Sequence, residues 1–264
     1  NFQLLTFFNT DPVILIDPAQ AGRFFGFLDP YRVGWWQQDV ALDLRDSAVD
    51  PRKGAYALAG AEEGGDYAGG AFTYQKLRGE VRGYVPLGGR LVLAARAQFG
   101  HIASQGDLGS PITRRFYLGG PSSHRGFSFG RLSLQVPSGF PGRLPLPVGG
   151  DEMFLAQVEV RARLFQVRGS WFAVAAFFDT GDVAAPSCGS GGCPLLPPAA
   201  PRHVDFARLH HAVGGGLRFK TVIGTLRADV GVRLNRLAAS EPDGLPNPDP
   251  GHRIVFHLSV AEAF

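Results

Sequence analysis

Ser122, Ser123 and His124 are adjacent in the chain, and their types could support nucleophilic catalysis. A histidine can activate a serine for attack, but a third residue has to orient that histidine. The segment has no G-x-S-x-G turn, and no third orienting residue accompanies it. We therefore predict no catalytic residue here and expect that the chain is not an enzyme.

The next residue, Arg125, offers a different chemistry. An arginine is always charged and presents five donors in a fixed fork, so that away from bulk water it needs a carboxylate opposite it. Asp179, in the segment FFDTGDV, is the candidate partner. The alternative is a solvated surface loop in which Arg125 is free in water. Whether Arg125 is paired or solvated depends on the strands and loops that surround these two residues.

Two cysteines, Cys188 and Cys193, lie in the segment CGSGGC. The simplest interpretation is a small loop closed by a disulfide in an oxidising compartment. A metal site that adds His203, His210 or His211 is the weaker alternative, because no CxxC or HxxxH spacing supports it. We expect the disulfide, and neither a metal nor another cofactor.

The composition favours one all-β domain over residues 1–264. Gly and Pro number 36 and 20, Phe is frequent at 21, and charged residues make up only 19% with a net charge of +3. Barrels commonly reach this length as one domain. No apolar run approaches the ~18 residues of a membrane helix, so contact with a membrane would be made by strands. Asn1 opens directly into a strand-like segment, and we expect no signal peptide in the sequence.

Alternation of apolar and polar side chains predicts long strands, because successive residues of a strand point to opposite faces. In the run Met153 to Phe165, Glu159 lies on the polar face, as does Asp179 in the run from Trp171 to Thr180. The pattern predicts nine strands, near 34–45, 54–63, 71–84, 90–100, 152–165, 170–182, 209–220, 224–236 and 252–264. Three more, Phe2–Phe8, Val13–Ile16 and Gly22–Leu28, would make twelve, with ten as the alternative.

A soluble β-sandwich would also alternate, with its apolar face in the core. Two features favour a transmembrane antiparallel β-barrel, whose apolar face meets lipid and whose polar face lines a wet interior. The strands have the ~10 to 13 residues that a tilted strand needs to cross the hydrocarbon layer. Aromatic residues lie near strand ends, where membrane interfaces would be: Trp35, Trp36, Phe165, Trp171 and Phe264.

The polar faces carry many arginines. A basic interior would favour anions, whereas a mixed-charge wall would balance these arginines with Glu159, Asp229 and Asp43. Nucleic acid is not an expected partner, because the arginines alternate inside the predicted barrel and are not interleaved with aromatic residues toward solvent. The arginines concerned are Arg96, Arg161, Arg163, Arg227 and Arg233.

Short and long connections alternate along the chain. Outer-membrane barrels place short turns in the periplasm and long loops outside. The long connections here include 101–150, which contains Arg125, and 184–208, which contains the cysteines. We therefore predict that both are extracellular loops and that the C-terminus faces the periplasm.

Four segments occur in a recognisable order along the chain: DLRDSAVDPRKG (43–54), FYLGG with RGF (116–120 and 125–127), FFDTGDV (177–183) and HLSVAEAF (257–264). Together they resemble the barrel region of the outer-membrane protein 85 superfamily, also called the bacterial surface antigen family, of the BamA and TamA type. The resemblance covers roughly 34–264. Members normally carry polypeptide-transport-associated domains before a larger barrel, so the chain is either part of a longer protein or a reduced member.

The resemblance implies that the Arg125 loop folds back into the lumen. There the arginine of the RGF motif, Arg125, pairs with the acidic residue of the FFDTGDV strand, Asp179. Phe127 completes the first motif, and Gly181 belongs to the second. Glu159, facing inward on the adjacent strand, is a second candidate partner. The glycines Gly119, Gly120 and Gly126 would let the loop turn sharply and approach the wall.

The segment HLSVAEAF resembles the family's C-terminal targeting strand. The apolar residues of this strand are Leu258, Val260 and Phe264, together with Phe256, which directly precedes the segment.

The function that the resemblance implies is assistance in the insertion or translocation of polypeptides at the bacterial outer membrane. A narrow or plugged solute pore, and a membrane anchor for a partner or passenger domain, are the alternatives. The expected partners are the lipid bilayer, with lipopolysaccharide and polypeptide clients as further candidates.

Overall fold

The computed structural model describes residues 1–5, 31–106, 108–136, 144–167, 169–187, 202–221, 224–235, 252–260 and 264. Its main sheet is antiparallel and contains ten strands in the order β1-β2-β3-β4-β5-β8-β9-β10-β11-β12. These are β1 Phe2–Leu5, β2 Tyr31–Asp43, β3 Gly54–Gly64, β4 Thr73–Pro86, β5 Leu91–Gln105, β8 Glu152–Val167, β9 Ser170–Ala184, β10 His210–Thr221, β11 Gly224–Arg233 and β12 Ile254–Val260. A small hairpin, β6 Gln135–Val136 with β7 Leu146–Pro147, lies in the long connection between β5 and β8.

The predicted all-β antiparallel fold is confirmed. The nine strands expected from 34 onward correspond to β2–β5 and β8–β12, and β1 begins the expected strand Phe2–Phe8. The other two expected strands, Val13–Ile16 and Gly22–Leu28, lie outside the described residues. Among the residues that are described, β1 and β12 end the strand order and do not pair with each other. Within the same ranges no helix is long and apolar enough to cross a membrane.

The two faces of the sheet are the reverse of those in a soluble protein. Apolar side chains are exposed on the outside, with Phe256 at 75% and Leu258 at 84%, whereas charged ones such as Glu159 and Asp179 are fully buried. Soluble proteins almost never bury such charges while exposing large apolar residues in rows. An apolar outer surface around a polar interior is the pattern of a barrel wall in lipid.

The sheet curves around the described residues of the connection 106–151, namely 106, 108–136 and 144–151, which we call the lumen loop. The carbonyl oxygen of Ser122 accepts a hydrogen bond from Arg96 on β5, and that of Arg125 lies 3.0 Å from Nε2 of His257 on β12. In a flat sheet, β5 and β12 would be about 24 Å apart, whereas three residues of chain span at most ~10 Å. The strands therefore wrap around the loop. Because β5 runs to Gln105, the loop begins five residues later than the expected 101.

An apolar cluster holds the lumen loop near the strand ends where the long connections lie. Loop residues Phe116, Leu118, Phe127 and Leu132 pack in this cluster against buried strand residues. Burial of aromatic and aliphatic side chains of this size contributes about 1.5–3 kcal/mol each. The loop is thus part of the folded core and not a surface appendage. The strand and flanking residues of the cluster are Tyr31, Val33, Phe72, Tyr74, Ile102, Met153, Leu155 and Val183.

The interface position expected for Trp35, Trp171 and Phe264 is wrong, because all three face the interior. Trp35 packs against the apolar cluster, and Trp171, with the parity of Asp179 on β9, has the guanidinium of Arg163 5.7 Å from its ring centroid. Phe264 is only 5% exposed, and its ring lies 6.5 Å from that of Tyr84. The guanidinium of Arg161 lies 5.5 Å from the same ring. Phe264 has the parity of Phe256, Leu258 and Val260 on the outer face of β12, so alternation alone predicts the wrong side for it.

Candidate functional site

The backbone of the lumen loop is shaped by glycines around Arg125. Gly119 and Gly120 both have φ of +108°, a conformation that residues with a Cβ rarely adopt. Gly126 approaches the wall, because a Cβ added there would lie 2.6 Å from Cβ of Ala212 on β10. These glycines let the segment turn and press Arg125 against the inner face of the sheet.

Arg125 and Asp179 form a bidentate ion pair. Nε and Nη2 of Arg125 donate to the two carboxylate oxygens of Asp179 at 2.8 and 2.7 Å, and the backbone N–H of Arg125 donates to Oδ2 at 2.9 Å. Neither side chain has exposed surface. Charge-assisted bidentate hydrogen bonds of this kind are strong and also restrict the geometry of the two groups. Both the side chain and the main chain of Arg125 therefore hold the turn in place.

Glu159 on β8 completes the surroundings of Arg125. It accepts a hydrogen bond from Nη1 of Arg125, and Phe177 on β9 places its ring centroid 3.5 Å from the guanidinium carbon. Burial lowers the pKa of Arg125, but the hydrogen bonds and charges of Asp179 and Glu159 outweigh that effect and raise it. The cation is therefore permanent, and its two carboxylates and one aromatic face stabilise it.

The same carboxylates extend the ion-pair network across the inner face of the sheet. Glu159 also accepts hydrogen bonds from Arg161 at 2.8 Å and from Arg218 at 3.3 Å. Arg218 donates in turn to Asp229 at 2.5 Å, and Arg227 donates to Asp229 at 2.6 Å. The wall is thus a mixed-charge surface at this level, as one of the two sequence interpretations expected.

Strand side chains also hold the main chain of the loop. Five successive or nearly successive carbonyl groups, from Pro121 to Gly126, accept hydrogen bonds from side chains that point inward from β5, β8, β11 and β12. The pairs are Arg227 with Pro121 (3.0 Å), Arg96 with Ser122 (3.0 Å), Gln157 with Ser123 (2.7 Å), His257 with Arg125 (3.0 Å) and Arg233 with Gly126 (2.6 Å). Sequence reasoning did not assign these roles, although the inward polar positions of the donors were visible.

Gly231 on β11 is another contact that the sequence analysis missed. A Cβ at this position would lie 2.2 Å from the carbonyl oxygen of Arg125 and 2.7 Å from its carbonyl carbon. Both atoms belong to the backbone and cannot move aside cheaply. Gly181, from the FFDTGDV segment, has a similar role between strands, because its Cβ would meet the carbonyl oxygen of Phe154 at 2.5 Å.

His124 is fully buried beside Arg125. Its Nε2 lies 3.0 Å from the carbonyl oxygen of His210, and its Nδ1 accepts a hydrogen bond from the Gly126 N–H at 3.3 Å. This arrangement requires a neutral ring that carries its proton on Nε2. Burial lowers the pKa of His124 to about 4, although the charge of Asp179 acts in the opposite direction. The histidine therefore supports the loop as a neutral hydrogen-bonding group.

The remaining predicted residues fall into three groups. Phe127 is fully buried, with the guanidinium of Arg233 4.0 Å from its ring centroid. Phe256, Leu258 and Val260 lie on the outer face of β12, away from the lumen loop. Cys188 and Cys193 lie outside the described residues. Among the residues that are described, no group of three or more His, Cys, Asp or Glu side chains is arranged to hold a metal.

The family to which the chain is similar is the same in the family model and in the relatives of known name. Residues 36–264 match the family model described as the Omp85 superfamily domain. The chain is 33% identical over 115 residues to the sorting and assembly machinery component 50 homolog of Mus musculus, an alignment covering 44% of this chain and 24% of that protein. It is 31% identical over 117 residues to the outer membrane protein assembly factor BamA of Nitratidesulfovibrio vulgaris, covering 44% and 14%. The chain thus spans about a quarter or less of these relatives.

A solved structure shows the same fold. The BamA structure from Haemophilus ducreyi that lacks POTRA domains 1–3 superposes with a TM-score of 0.63 at 16% identity, over 85% of this chain and 42% of that one. At this identity the likeness concerns the fold alone.

Proposed function

The chain belongs to the Omp85 superfamily, and we propose that it forms the barrel part of an outer-membrane protein that assists the insertion or translocation of polypeptides. The names of its relatives support this proposal, since one is a component of a sorting and assembly machinery and another an outer membrane protein assembly factor. The proposed role is that of an assembly factor and not of an enzyme.

One structural observation carries the proposal. Over the described part of the chain, the ten-stranded sheet has β1 at one edge and β12 at the other. An unpaired strand edge presents N–H and C=O groups that can pair with an incoming strand. The outer face of β12 is apolar and exposed at Phe256, Leu258 and Val260, so a client strand that pairs with β12 would lie with its own apolar face toward lipid.

A site-specific cross-linking experiment tests this role. A photoreactive residue at Phe256, on the edge strand β12, is compared with one at Val81, on the interior strand β4; both side chains are exposed on the outer face. With the full-length protein in liposomes and an unfolded outer-membrane barrel as client, we expect cross-links from Phe256 and not from Val81. Accelerated folding of the client should accompany them. Equal cross-linking from both positions, with no acceleration, would reject the proposal.

The proposed setting is the bacterial outer membrane. The strand pairs β4–β5, β8–β9 and β10–β11 are each joined by a short connection at the same end of the sheet, and β12 ends at that end too. Short turns on the periplasmic side would put the C-terminus in the periplasm and the lumen loop and the connection 185–209 on the extracellular side. Lipid is the proposed partner of the outer face, and polypeptides are the proposed clients, with lipopolysaccharide adjoining the extracellular end.

A further inference from the structure

A second feature of the interior is a cavity at the end of the sheet where the short connections lie. It is lined by residues of the β2–β3 connection, of the β4–β5 turn and of the ends of β8, β9, β10 and β11 that face those turns. No described residue of the lumen loop lines it. The cavity therefore adjoins the Arg125 cluster, with which it shares Arg161 and Arg218 through Glu159.

The walls of this cavity are strongly basic. Its lining includes six cationic side chains, Arg52, Arg90, Arg161, Arg163, Arg218 and Lys220, and Asp50 is the one carboxylate among the described residues that line it. Arg161 and Arg218 are compensated from the side of the lumen loop by Glu159. Of the other four cations, Arg163 and Lys220 pair with Asp50.

Asp50 shows how an oxyanion fits here. One of its oxygens, Oδ2, accepts hydrogen bonds from Arg163 at 2.5 Å and from Lys220 at 3.4 Å. A carboxylate delivered by the β2–β3 connection thus already bridges cations from β8 and β10. Guanidinium and ammonium donors therefore already hold one oxyanion at this point of the cavity.

Arg52 and Arg90 have N–H donors that are not used in hydrogen bonds to carboxylates of the described residues. Arg52 donates from Nη2 to the carbonyl oxygen of Gly89 at 2.7 Å, and Arg90 donates from Nη1 to that of Leu164 at 3.2 Å. Within the described ranges neither has a carboxylate at salt-bridge distance. Buried Nε atoms of Arg52 and Arg218 have no hydrogen-bond partner there. Leaving such a donor unsatisfied costs about 1–3 kcal/mol, and an anion in the cavity would reduce that cost.

We propose that this cavity binds a phosphate oxyanion between Arg52, Arg90, Arg163 and Lys220, next to Asp50. The ligand class is a compact, multiply charged phosphate group, either free or on a lipid headgroup. Guanidinium groups recognise phosphate through paired N–H donors, and lysine adds a point charge. Binding would tie the β2–β3 connection to β8 and β10 at this end of the lumen.

The test uses the full chain folded in neutral detergent and titrated with inorganic phosphate at constant ionic strength. We expect saturable binding, followed by calorimetry, that weakens at least tenfold in the double variant Arg90→Gln/Lys220→Gln. The control is Arg78→Gln, whose partner is Asp39 and which does not line the cavity. It should bind as tightly as the unchanged protein.

A second arm separates the two sources of phosphate. The same proteins are placed in nanodiscs of phosphatidylcholine with or without phosphatidic acid, and thermal unfolding is followed with and without free phosphate. Stabilisation by phosphatidic acid alone identifies a headgroup, and stabilisation by free phosphate in either disc identifies a soluble ligand. Absence of saturable binding in both arms, or equal weakening by Arg78→Gln, would overturn the proposal.

Discussion

The carbonyl oxygen of Arg125 lies 3.0 Å from Nε2 of His257, which connects the lumen loop to the last strand of the sheet. The side chain of the same residue is bound to Asp179 on β9 and Glu159 on β8. One loop residue therefore links the interior strands to the edge strand at which a client is proposed to pair. A substitution of Arg125, Asp179 or Glu159 should consequently alter the position or mobility of β12.

The first prediction concerns the buried ion pair. Arg125→Ala leaves Asp179 and Glu159 buried without their shared cation, and we expect it to lower the free energy of unfolding by about 3–5 kcal/mol. Asp179→Ala should cost less, because Arg125 keeps Glu159. The double variant should cost less than the sum of the two single ones, since the residues are in direct contact. Unfolding in detergent and limited proteolysis of the lumen loop measure these effects.

The matched control for this prediction is Arg78→Ala. Arg78 pairs with Asp39, but its side chain is 42% exposed, and exposed pairs contribute about 0–1 kcal/mol. If Arg125→Ala and Arg78→Ala destabilise the protein equally, the lumen cluster is not a structural clamp.

The second prediction concerns the close approach of Gly231 to the loop. Gly231→Ala places a methyl group 2.2 Å from the carbonyl oxygen of Arg125, so the loop or β11 has to move. We expect a lower melting temperature and a loop that proteases cut more readily, with a stability loss of about 1–3 kcal/mol. Gly83→Ala on β4 is the control, because nothing lies within 4 Å of its added Cβ. Unchanged loop protection in Gly231→Ala would contradict the contact.

The strand pattern and the motif resemblance together were sufficient to predict the Arg125 cluster. Alternation along β8 and β9 placed Glu159 and Asp179 on the inner face, and the structure brings both to Arg125. Both signals are local: a strand face depends only on residue parity, and a motif on adjacent residues.

The carbonyl contacts of the loop could not be predicted in this way. Whether Gln157 or His257 reaches a loop carbonyl depends on how deeply the loop descends and how strongly the sheet curves, which are properties of the whole fold. The same applies to Gly231, whose sequence neighbours give no sign of Arg125 beside it. Phe264 has the same parity as the exposed residues Phe256 and Leu258 but is buried, so alternation alone could not predict its position either.

The third prediction separates an assembly factor from a solute pore. Loop residues 121–126 are held across the interior by side chains from β5, β8, β11 and β12. We therefore expect low conductance in planar bilayers, which rises in Arg125→Ala as the loop is released and stays low in Arg78→Ala. Large, ion-selective conductance of the unchanged protein would favour the solute-pore alternative.

The fourth prediction concerns pH and rests on His124. Its folded-state pKa is about 4, below the ordinary value of 6.5, because burial disfavours the charged ring. The unfolded chain therefore takes up a proton at higher pH than the folded one does. Above pH 6.5 both states are neutral here and the stability is at its full value. It should fall as the pH drops from 6.5 toward 4, by up to about 3 kcal/mol for this group, and then level off.

The variant His124→Gln isolates this contribution. Glutamine can still donate to the carbonyl oxygen of His210 but does not titrate. Its free energy of unfolding should be lower than that of the unchanged protein at neutral pH, because the fit of the ring is lost, yet it should depend less on pH between 6.5 and 4. Protonation of Nδ1 would also remove the acceptor of the Gly126 N–H, so the loop should become protease-sensitive over the same interval. An identical pH slope in both proteins would show that His124 does not carry the effect.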